Sequence, residues 1–180
     1  MIVAMELVTS RLLLRELTSP DRDAVHGYAS DTDVTRFMDW GPNSAADTAA
    51  FLADVLREAA AVPRLAYTLA IVVRASGELV GAVHLAVTSG AHRRGEMGYV
   101  LAAAEWGKGY ATEAAAAILR FGFDEVGLHK VVATCDPDNV ASARVLRKIG
   151  MRREGHLRDH LLIRGQWRDR LTFAALAPHA

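Results

Sequence analysis

Apolar residues along the chain form two kinds of pattern, and each predicts a different element. Short apolar runs bounded by glycine, proline or polar residues predict about seven strands. These runs lie at 7–17, 66–74, 79–87, 96–102, 131–135 and, as two strands turned at Arg164-Gly165, within 152–176. The polar segment 75–78 separates two of the runs and contains Gly77, which indicates a hairpin turn.

Longer segments with helical spacing predict about four helices. They cover 19–30, 44–61, 110–125 and 139–149, with a short helical turn at 34–37. Ser19 and Pro20 favour a helix start as N-cap and first helical residue, and Gly150 favours a helix stop. The helix at 110–125 is apolar on nearly all sides, so it is expected to be buried against the sheet. The order of elements predicts one domain over residues 1–180, a mixed α/β (α+β) sheet flanked by helices.

Composition narrows the class of protein. The chain has 180 residues, 51% of them hydrophobic and 23% charged, which is enough for one sizeable core. Basic and acidic residues balance at 21 each, so no net charge favours nucleic acid or an anionic membrane as partner. No apolar stretch reaches the ~20 residues of a membrane span, and the first residues lack the pattern of a signal peptide. We therefore expect a cytoplasmic protein that binds neither nucleic acid nor membrane.

The sequence contains no pattern that predicts a disulfide or a metal site. Cys135 is the single cysteine, which excludes an intrachain disulfide and a multi-cysteine metal site. Its apolar neighbours predict a buried and unreactive thiol. His156 and His160 have the i,i+4 spacing of a metal pair on a helix, but they fall in a predicted strand and no third ligand is evident. We predict no metal site.

A glycine-rich segment, WGKGYAT at 106–112, joins a predicted strand to the helix that begins at 110. Gly107 and Gly109 would let the backbone approach a ligand closely, and Lys108 could add a cation. The free N–H groups at the helix start, together with the positive end of its dipole, suit a pyrophosphate. Glycine spacing alone supports a simple strand-to-helix turn equally well, because the segment matches neither a P-loop nor a dinucleotide-binding fingerprint.

Several motifs in order along the chain resemble the GNAT acetyltransferase superfamily: EMGYVL at 96–101, WGKGYA at 106–111, CDPDNVAS at 135–142 and KIGM at 148–151. Further motifs resemble the RimJ/RimL-like ribosomal-protein N-acetyltransferase group: RLLLR at 11–15, VTRF at 34–37 with Trp40, and GQWRD at 165–169. The resemblance covers nearly the whole chain. It implies the GNAT fold, a twisted and mostly antiparallel sheet whose strands splay apart at the acetyl-CoA site.

The resemblance also implies which residues bind acetyl-CoA. The superfamily's loop reads Gln/Arg-x-x-Gly-x-Gly/Ala, and this chain has Trp106 at the first position, as is usual in the RimJ/RimL-like branch. The implied ligands are the backbone of Val100 and Leu101 for the pantetheine arm, the backbone of Gly107, Lys108, Gly109, Tyr110, Ala111 and Thr112 for the pyrophosphate, Asn139 for pantetheine and Ser142 near the sulfur.

Transfer of an acetyl group to an amine requires a base that neutralises the amine. Glu96 is the leading candidate because it opens a predicted strand and matches a glutamate recurrent in the superfamily. An exposed carboxylate paired with Arg93 or Arg94 is the structural alternative. His84 is a second candidate, although a lone histidine in a strand is more often simply packed.

The leaving thiolate needs a proton or a hydrogen bond. Asn139 is a good N-cap, and Ser142 is the third residue of the predicted helix, so a capping role is expected for the pair. Ser142 is also the candidate proton donor. Many superfamily members carry a tyrosine four residues further on as general acid, and this chain has Leu146 there.

The acceptor pocket is expected to involve Arg36, Phe37, Trp40 and Trp167, although each could equally be an ordinary core or rim residue. The favoured function is an acetyl-CoA-dependent N-acetyltransferase acting by direct attack of a primary amine, either a protein N-terminal α-amine or a small-molecule amine. A non-catalytic acyl-CoA-binding module is the alternative that Leu146 keeps open, and a protein binding another phosphate ligand is a weaker third. A homodimer is possible, as for many soluble proteins.

Overall fold

Antiparallel pairing places the first five strands side by side in chain order. The computed structural model describes residues 5–178 and gives eight strands: β1 (Glu6–Val8), β2 (Leu12–Glu16), β3 (Ala66–Val73), β4 (Leu79–Ser89), β5 (Arg94–Leu101), β6 (Lys130–Cys135), β7 (Arg152–Ile163) and β8 (Gln166–Leu176). They form one sheet in the order β1-β2-β3-β4-β5-β6-β8-β7, antiparallel except for the parallel pair β5–β6. The predicted mixed, mostly antiparallel sheet is confirmed, with eight strands instead of about seven.

The additional strand arises because the predicted single strand at 7–17 is a hairpin. Thr9 N donates to Leu12 O at 2.9 Å, and Leu12 N donates to Thr9 Oγ1 at 2.9 Å, so the threonine side chain helps to close the turn. Only three polar residues, Thr9, Ser10 and Arg11, separate the two strands within a leucine-rich segment, so the sequence pattern predicts one strand.

Five α-helices complete the fold: α1 (Arg22–Ala29), α2 (Thr32–Thr35), α3 (Ala45–Ala59), α4 (Tyr110–Asp124) and α5 (Val140–Lys148). The predicted start at Ser19 is wrong in detail, since Ser19–Asp21 is a 3-10 turn whose N-cap is Thr18. Thr18 N and Oγ1 both donate to Asp21 Oδ2, at 2.7 and 2.8 Å, and this capping box precedes α1. None of the described helices is long and apolar enough to cross a bilayer.

Alternating side chains divide the core between the two faces of the sheet. On β3, Leu69 and Ile71 pack into the cluster that contains Ile118 of α4, whereas Ala70 and Val72 pack into the cluster that contains residues of α1 and α3. The predicted burial of α4 against the sheet is confirmed. The sheet therefore separates a layer of α4 and α5 from a layer of α1, α2 and α3.

Pairing between β5 and β6 stops early. Arg94, Gly95 and Glu96 pair in register with Lys130, Val131 and Val132, and beyond them the two parallel strands diverge. Residues 97–101 of β5 and 133–135 of β6 thus border a gap in the middle of the sheet. This gap connects the two helical layers.

Candidate active site

The gap between β5 and β6 opens into a cavity of about 960 Å³. Its lining comes from α3, the loop after α2, the sheet and the start of α5. Glu96, His84 and Ser142 all line this cavity, so the three candidate catalytic residues share one space. Two of the predicted pocket residues, Phe37 and Trp40, line it as well. The other two, Arg36 and Trp167, are exposed and lie outside its lining.

Glu96 and His84 project from neighbouring strands toward the α1–α3 layer. Ala86 of β4 is opposite Glu96 and His84 is opposite Gly98, so the two candidate bases are diagonal neighbours on one face. An added Cβ at Gly98 would meet nothing within 4 Å, so the space above Gly98, beside the two candidate bases, is open. Arg93 does not pair with Glu96, because its Nε donates to the carbonyl of Gly127 at 2.6 Å.

The His84 imidazole is set up to be neutral. Its Nδ1 lies 2.8 Å from Thr68 Oγ1, which leaves Nε2 without a partner among residues 5–178. Burial lowers the pKa of His84, and the nearby charge of Glu58 opposes this shift. A neutral imidazole at physiological pH can accept a proton.

On the opposite side of the gap, Ser142 is held by three contacts. Its backbone N–H donates to Asn139 Oδ1 at 3.0 Å, so the predicted N-cap is confirmed. The hydroxyl of Tyr99, on β5, lies 2.9 Å from Ser142 Oγ and donates to the Ser142 carbonyl oxygen at 3.2 Å. Tyr99 lines the cavity and was not singled out from the sequence, although it falls within the motif at 96–101. The available signal is a phenol among the apolar residues that end the strand, at 97–101.

Cys135 is 3% exposed, as its apolar surroundings predicted. Burial raises the pKa of its thiol, which keeps it protonated and unreactive. No metal cluster occurs among residues 5–178. His156 instead lies 2.6 Å from Asp169 Oδ2.

The glycine segment has the geometry of an anion-binding turn. Gly107 and Gly109 have φ of 78° and 84°, a region that glycine adopts without strain. Gly109 is the N-cap of α4 and provides no side-chain cap, and the first helical bond there runs from Glu113 N to Gly109 O. The N–H groups of 110–112 therefore have no partner within the helix. These features fit the pyrophosphate of acetyl-CoA.

Two side chains of this segment are engaged within the protein. Lys108 Nζ donates to Glu105 Oε1 at 2.9 Å, so its charge is shared with a carboxylate. Trp106 Nε1 donates to the carbonyl of Leu101 at 3.0 Å. That bond occupies one backbone acceptor at the end of β5 and fixes the loop against the strand.

The register of the β4–β5 ladder determines where the backbone groups of Val100 and Leu101 point. Ala102 N donates to Val80 O, which sets the phase of the β4–β5 ladder. Alternate residues of β5 then point their backbone groups to β4, and Val100 is one of them. The N–H groups of Tyr99 and Leu101 point to the gap instead. They are the backbone donors of β5 available to a pantetheine arm.

An ion pair supports the glycine segment from the N-terminal hairpin. Glu113, in the first turn of α4, accepts from Arg11 Nε at 2.7 Å and from Arg11 N at 2.8 Å. Arg11 Nη1 in turn donates to the carbonyl of Lys108 at 2.8 Å. Its guanidinium also lies 4.8 Å from the centre of the Tyr110 ring. The resemblance included the motif that contains Arg11, but the link to the loop could not be read from sequence separation.

Acidic groups dominate the cavity lining. One arginine, Arg170, and these six carboxylates contribute to it: Asp39, Asp47, Asp54, Glu58, Glu96 and Asp136. Asp47 caps α3, Asp136 accepts from Arg168 at 2.9 Å, and Asp54 is paired with Arg57, whereas Asp39, Glu58 and Glu96 have no ion pair among residues 5–178. Since the whole chain is neutral, this excess of negative charge is local. It favours a cation in the cavity.

The β7–β8 hairpin fastens the loop that roofs the cavity. Arg164 Nη2 donates to the carbonyls of Thr35, Trp40 and Gly41, at 3.1, 3.1 and 2.6 Å. Arg170 donates from both Nη1 and Nη2 to the carbonyl of Phe37, at 3.2 and 3.3 Å. The position of Phe37 and Trp40 over the cavity therefore depends on a hairpin far away in sequence.

Comparison with known proteins gives a consistent family. The sequence model described as an acetyltransferase (GNAT) domain matches residues 11–152 of the chain. An uncharacterised N-acetyltransferase of Bacillus subtilis (strain 168), YnaD, is 36% identical over 172 residues, which cover 96% of this chain and 97% of YnaD.

Solved structures agree with this result. A GNAT-family acetyltransferase from Bacillus anthracis superposes with a TM-score of 0.85 at 35% identity, covering 96% of this chain and 98% of that one. RimJ of Mycobacterium smegmatis, solved in complex with CoA-disulfide, superposes with a TM-score of 0.83 at 28% identity, covering 98% of this chain and 90% of that one.

Proposed function

The chain belongs to the GNAT acetyltransferase family, and from that premise we propose that it acetylates the primary amine of a cationic acceptor by direct attack within a ternary complex. It is an N-acetyltransferase that uses acetyl-CoA, as its family does. The main support for direct attack by a cationic acceptor is the cavity at the β5–β6 gap. Candidate bases line it on one side and Ser142 on the other, with acidic groups around the acceptor side.

Acetyl-CoA supplies an activated acetyl group as a thioester. The positive-φ glycines and uncapped start of α4 support pyrophosphate binding at 107–112. The free backbone edge at Tyr99 and Leu101 supports binding of the pantetheine arm along the gap. The arm would then end beside Ser142, with the thioester carbonyl facing Glu96 and His84.

A base on the acceptor side removes a proton from the bound ammonium or from the attacking amine. Glu96 is exposed in the cavity and free of ion pairs among the described residues, which supports it as the first proton acceptor. The depressed pKa of the half-buried His84 supports a neutral imidazole as the alternative acceptor. An α-amine, whose pKa is about 8, loses its proton more easily than a lysine-like amine, whose pKa is about 10.4.

The charge of the lining supports an acceptor that arrives as a cation with more than one positive centre. Asp54 and Glu58 are one helical turn apart on the face of α3 that lines the cavity. Asp54 is paired with Arg57, whereas Glu58 has no ion pair among residues 5–178 and lies on the same side of the sheet as Glu96. Glu58 therefore supports binding of a second ammonium while the first reacts. A small di- or polyamine fits this pattern better than a neutral peptide N-terminus, whose amine is its only required charge.

Thiol release from acetyl-CoA, with product mass determination, tests the proposal. The panel contains a monoamine, a diamine, spermidine, an aminoglycoside and ribosomal-protein N-terminal peptides. We expect kcat/KM to rise with acceptor charge, and Glu58→Gln to raise the polyamine KM about two- to fivefold, as for one partly exposed ion pair. Equal kcat/KM for monoamine and polyamine, or a preference for peptides, would contradict the polycationic acceptor.

The role of Glu96 is tested on the best acceptor. Glu96→Gln should flatten the rise of kcat/KM with pH, whereas Glu78→Gln, an exposed hairpin variant, should leave it unchanged. An unaltered profile in Glu96→Gln would transfer the role to His84 or to water. Binding of acetyl-CoA without turnover on the whole panel would favour a non-catalytic module.

A further inference from the structure

The contact between Tyr99 and Ser142 spans the gap between the two halves of the sheet. Tyr99 belongs to β5, just beyond its last residue paired with β6, and Ser142 lies in the first turn of α5. We infer that Tyr99 is a positioning residue for acetyl transfer: its hydroxyl orients the Ser142 hydroxyl to donate a hydrogen bond to the leaving sulfur. This inference rests on the proposed function, because it presumes turnover at this cavity.

The two hydroxyl groups can exchange donor roles without moving any heavy atom. Tyr99 has one O–H and two acceptors within reach on Ser142, Oγ at 2.9 Å and the carbonyl oxygen at 3.2 Å. When Tyr99 donates to the carbonyl, the Ser142 proton points at the phenol oxygen. When Tyr99 donates to Oγ, the Ser142 proton is free to point into the cavity. Rotation about two C–O bonds thus turns Ser142 into a donor for a ligand.

The Ser142 hydroxyl is needed as a donor when the C–S bond of the thioester breaks. The amine nitrogen attacks the thioester carbonyl carbon, a C–N bond forms, and the C–S bond breaks with its electron pair on sulfur. A hydrogen bond from Ser142 stabilises the negative charge that develops there. The amine proton passes to the base on the acceptor side, and sulfur takes a proton from solvent as CoA leaves.

Tyr99 keeps its own proton throughout. Burial raises the pKa of its phenol to about 12, although the hydrogen bond with Ser142 opposes this shift. The phenol is therefore a protonated hydrogen-bond donor at physiological pH, and a poor source of protons. This agrees with a positioning role rather than with general acid catalysis by the phenol.

The position on α5 where many family members have a tyrosine cannot take part. Leu146 lines the same cavity and packs into the core on the α4–α5 side, but its side chain has no proton to donate. The phenol that approaches Ser142 comes instead from the sheet, opposite the helix. Without Tyr99, the Ser142 hydroxyl would lose the hydrogen bond that orients it toward the gap.

A double-mutant cycle on kcat tests the inference, using the best acceptor of the panel at saturating acetyl-CoA. Tyr99→Phe should lower kcat about five- to tenfold, the effect of one hydrogen bond to the reacting group, with the acetyl-CoA KM unchanged. Ser142→Ala should lower kcat by at least as much. In the Ser142→Ala background, Tyr99→Phe should have no further effect, since the side chain through which it acts is absent.

Tyr67→Phe is the matched control, because its hydroxyl makes only a 3.5 Å contact with the Arg64 carbonyl outside the cavity. Independent losses that multiply in the double variant would overturn the inference. An unchanged kcat in Tyr99→Phe, or a loss confined to the acetyl-CoA KM, would also overturn it. Absence of turnover in the wild-type protein would count against the proposed function instead, so the two failures are distinguishable.

Discussion

Glu113 makes a prediction that can be worked out from its contacts. Its Oε1 accepts from Thr9 Oγ1 at 2.6 Å, from Ser10 Oγ at 3.0 Å and from Arg11 N at 2.8 Å, and its Oε2 accepts from Arg11 Nε at 2.7 Å. The carboxylate thus joins the β1–β2 hairpin to the first turn of α4. The perturbation is Glu113→Gln, which keeps the shape and removes the charge.

The magnitude follows from linkage between ionisation and folding. Burial opposes ionisation of Glu113, but the hydrogen bonds from Thr9, Arg11 and Ser10 outweigh it and lower the pKa from 4.5 to about 2. That shift corresponds to at most about 3 kcal/mol of stability at neutral pH. The side chain of Arg11 is 48% exposed, so solvent screening reduces the expected value to about 2 kcal/mol.

The sign of the pH dependence is fixed by the direction of the shift. A carboxyl whose pKa is lower in the folded state contributes fully above its unfolded pKa, and the contribution is lost as pH falls from 4.5 toward 2. Urea unfolding of wild type and Glu113→Gln should therefore differ by about 2 kcal/mol at pH 7 and by progressively less below about pH 4.

Glu125→Gln provides the control, since Glu125 is exposed at the other end of α4. It should change the free energy of unfolding by less than about 0.5 kcal/mol at either pH. A difference between wild type and Glu113→Gln that stays constant from pH 7 to low pH would refute the electrostatic reasoning. The change would then reflect packing rather than the charge of the carboxylate.

Two further predictions concern the edges of the cavity. Gly109→Ala places a Cβ at φ 84°, 3.2 Å from Arg11 Nη2, so calorimetry should show acetyl-CoA binding weakened about tenfold or more, whereas Gly90→Ala, in open space, should bind normally. Arg164→Ala removes the donors to the roof carbonyls of 35–41 and should raise the acceptor KM severalfold with the acetyl-CoA KM unchanged. Arg152→Ala, exposed on the same hairpin, is its control, and equal effects of the two arginine variants would argue against a roof role.

The fold was largely predictable because local signals determine most of it. The hairpin at 75–78, the turn at Arg164-Gly165 and the cap at Asn139 all appear where the sequence predicted them. Errors occurred where side chains redirected the backbone, as at Thr9 and Thr18, since a threonine that closes a turn leaves no trace in apolar periodicity.

The candidate site was less predictable because its residues meet through the sheet. Glu96, His84 and Ser142 were singled out one by one, and the structure brings them to one cavity. The acidic residues of α3 that line the cavity depend on contacts between segments that are distant in sequence. The same is true of the hydrogen bonds from Arg164 to the loop above the cavity. Neither spacing nor composition contains that information, and the neutral total charge conceals the local excess of carboxylates.

The alternation of side chains along β5 explains why Glu96 and Tyr99 lie on opposite sides of the cavity. Glu96 and Tyr99 are an odd number of residues apart, so their side chains leave the strand on opposite faces, toward α3 and toward α5. At the same point β5 loses β6 as a neighbour, and its free backbone edge faces the opening between the two layers. Alternation along β5 can be read from its sequence, but the early end of its pairing depends on both strands and the helices packed over them. The same difference explains why the side-chain candidates, which lie far apart in the sequence, come together in one cavity.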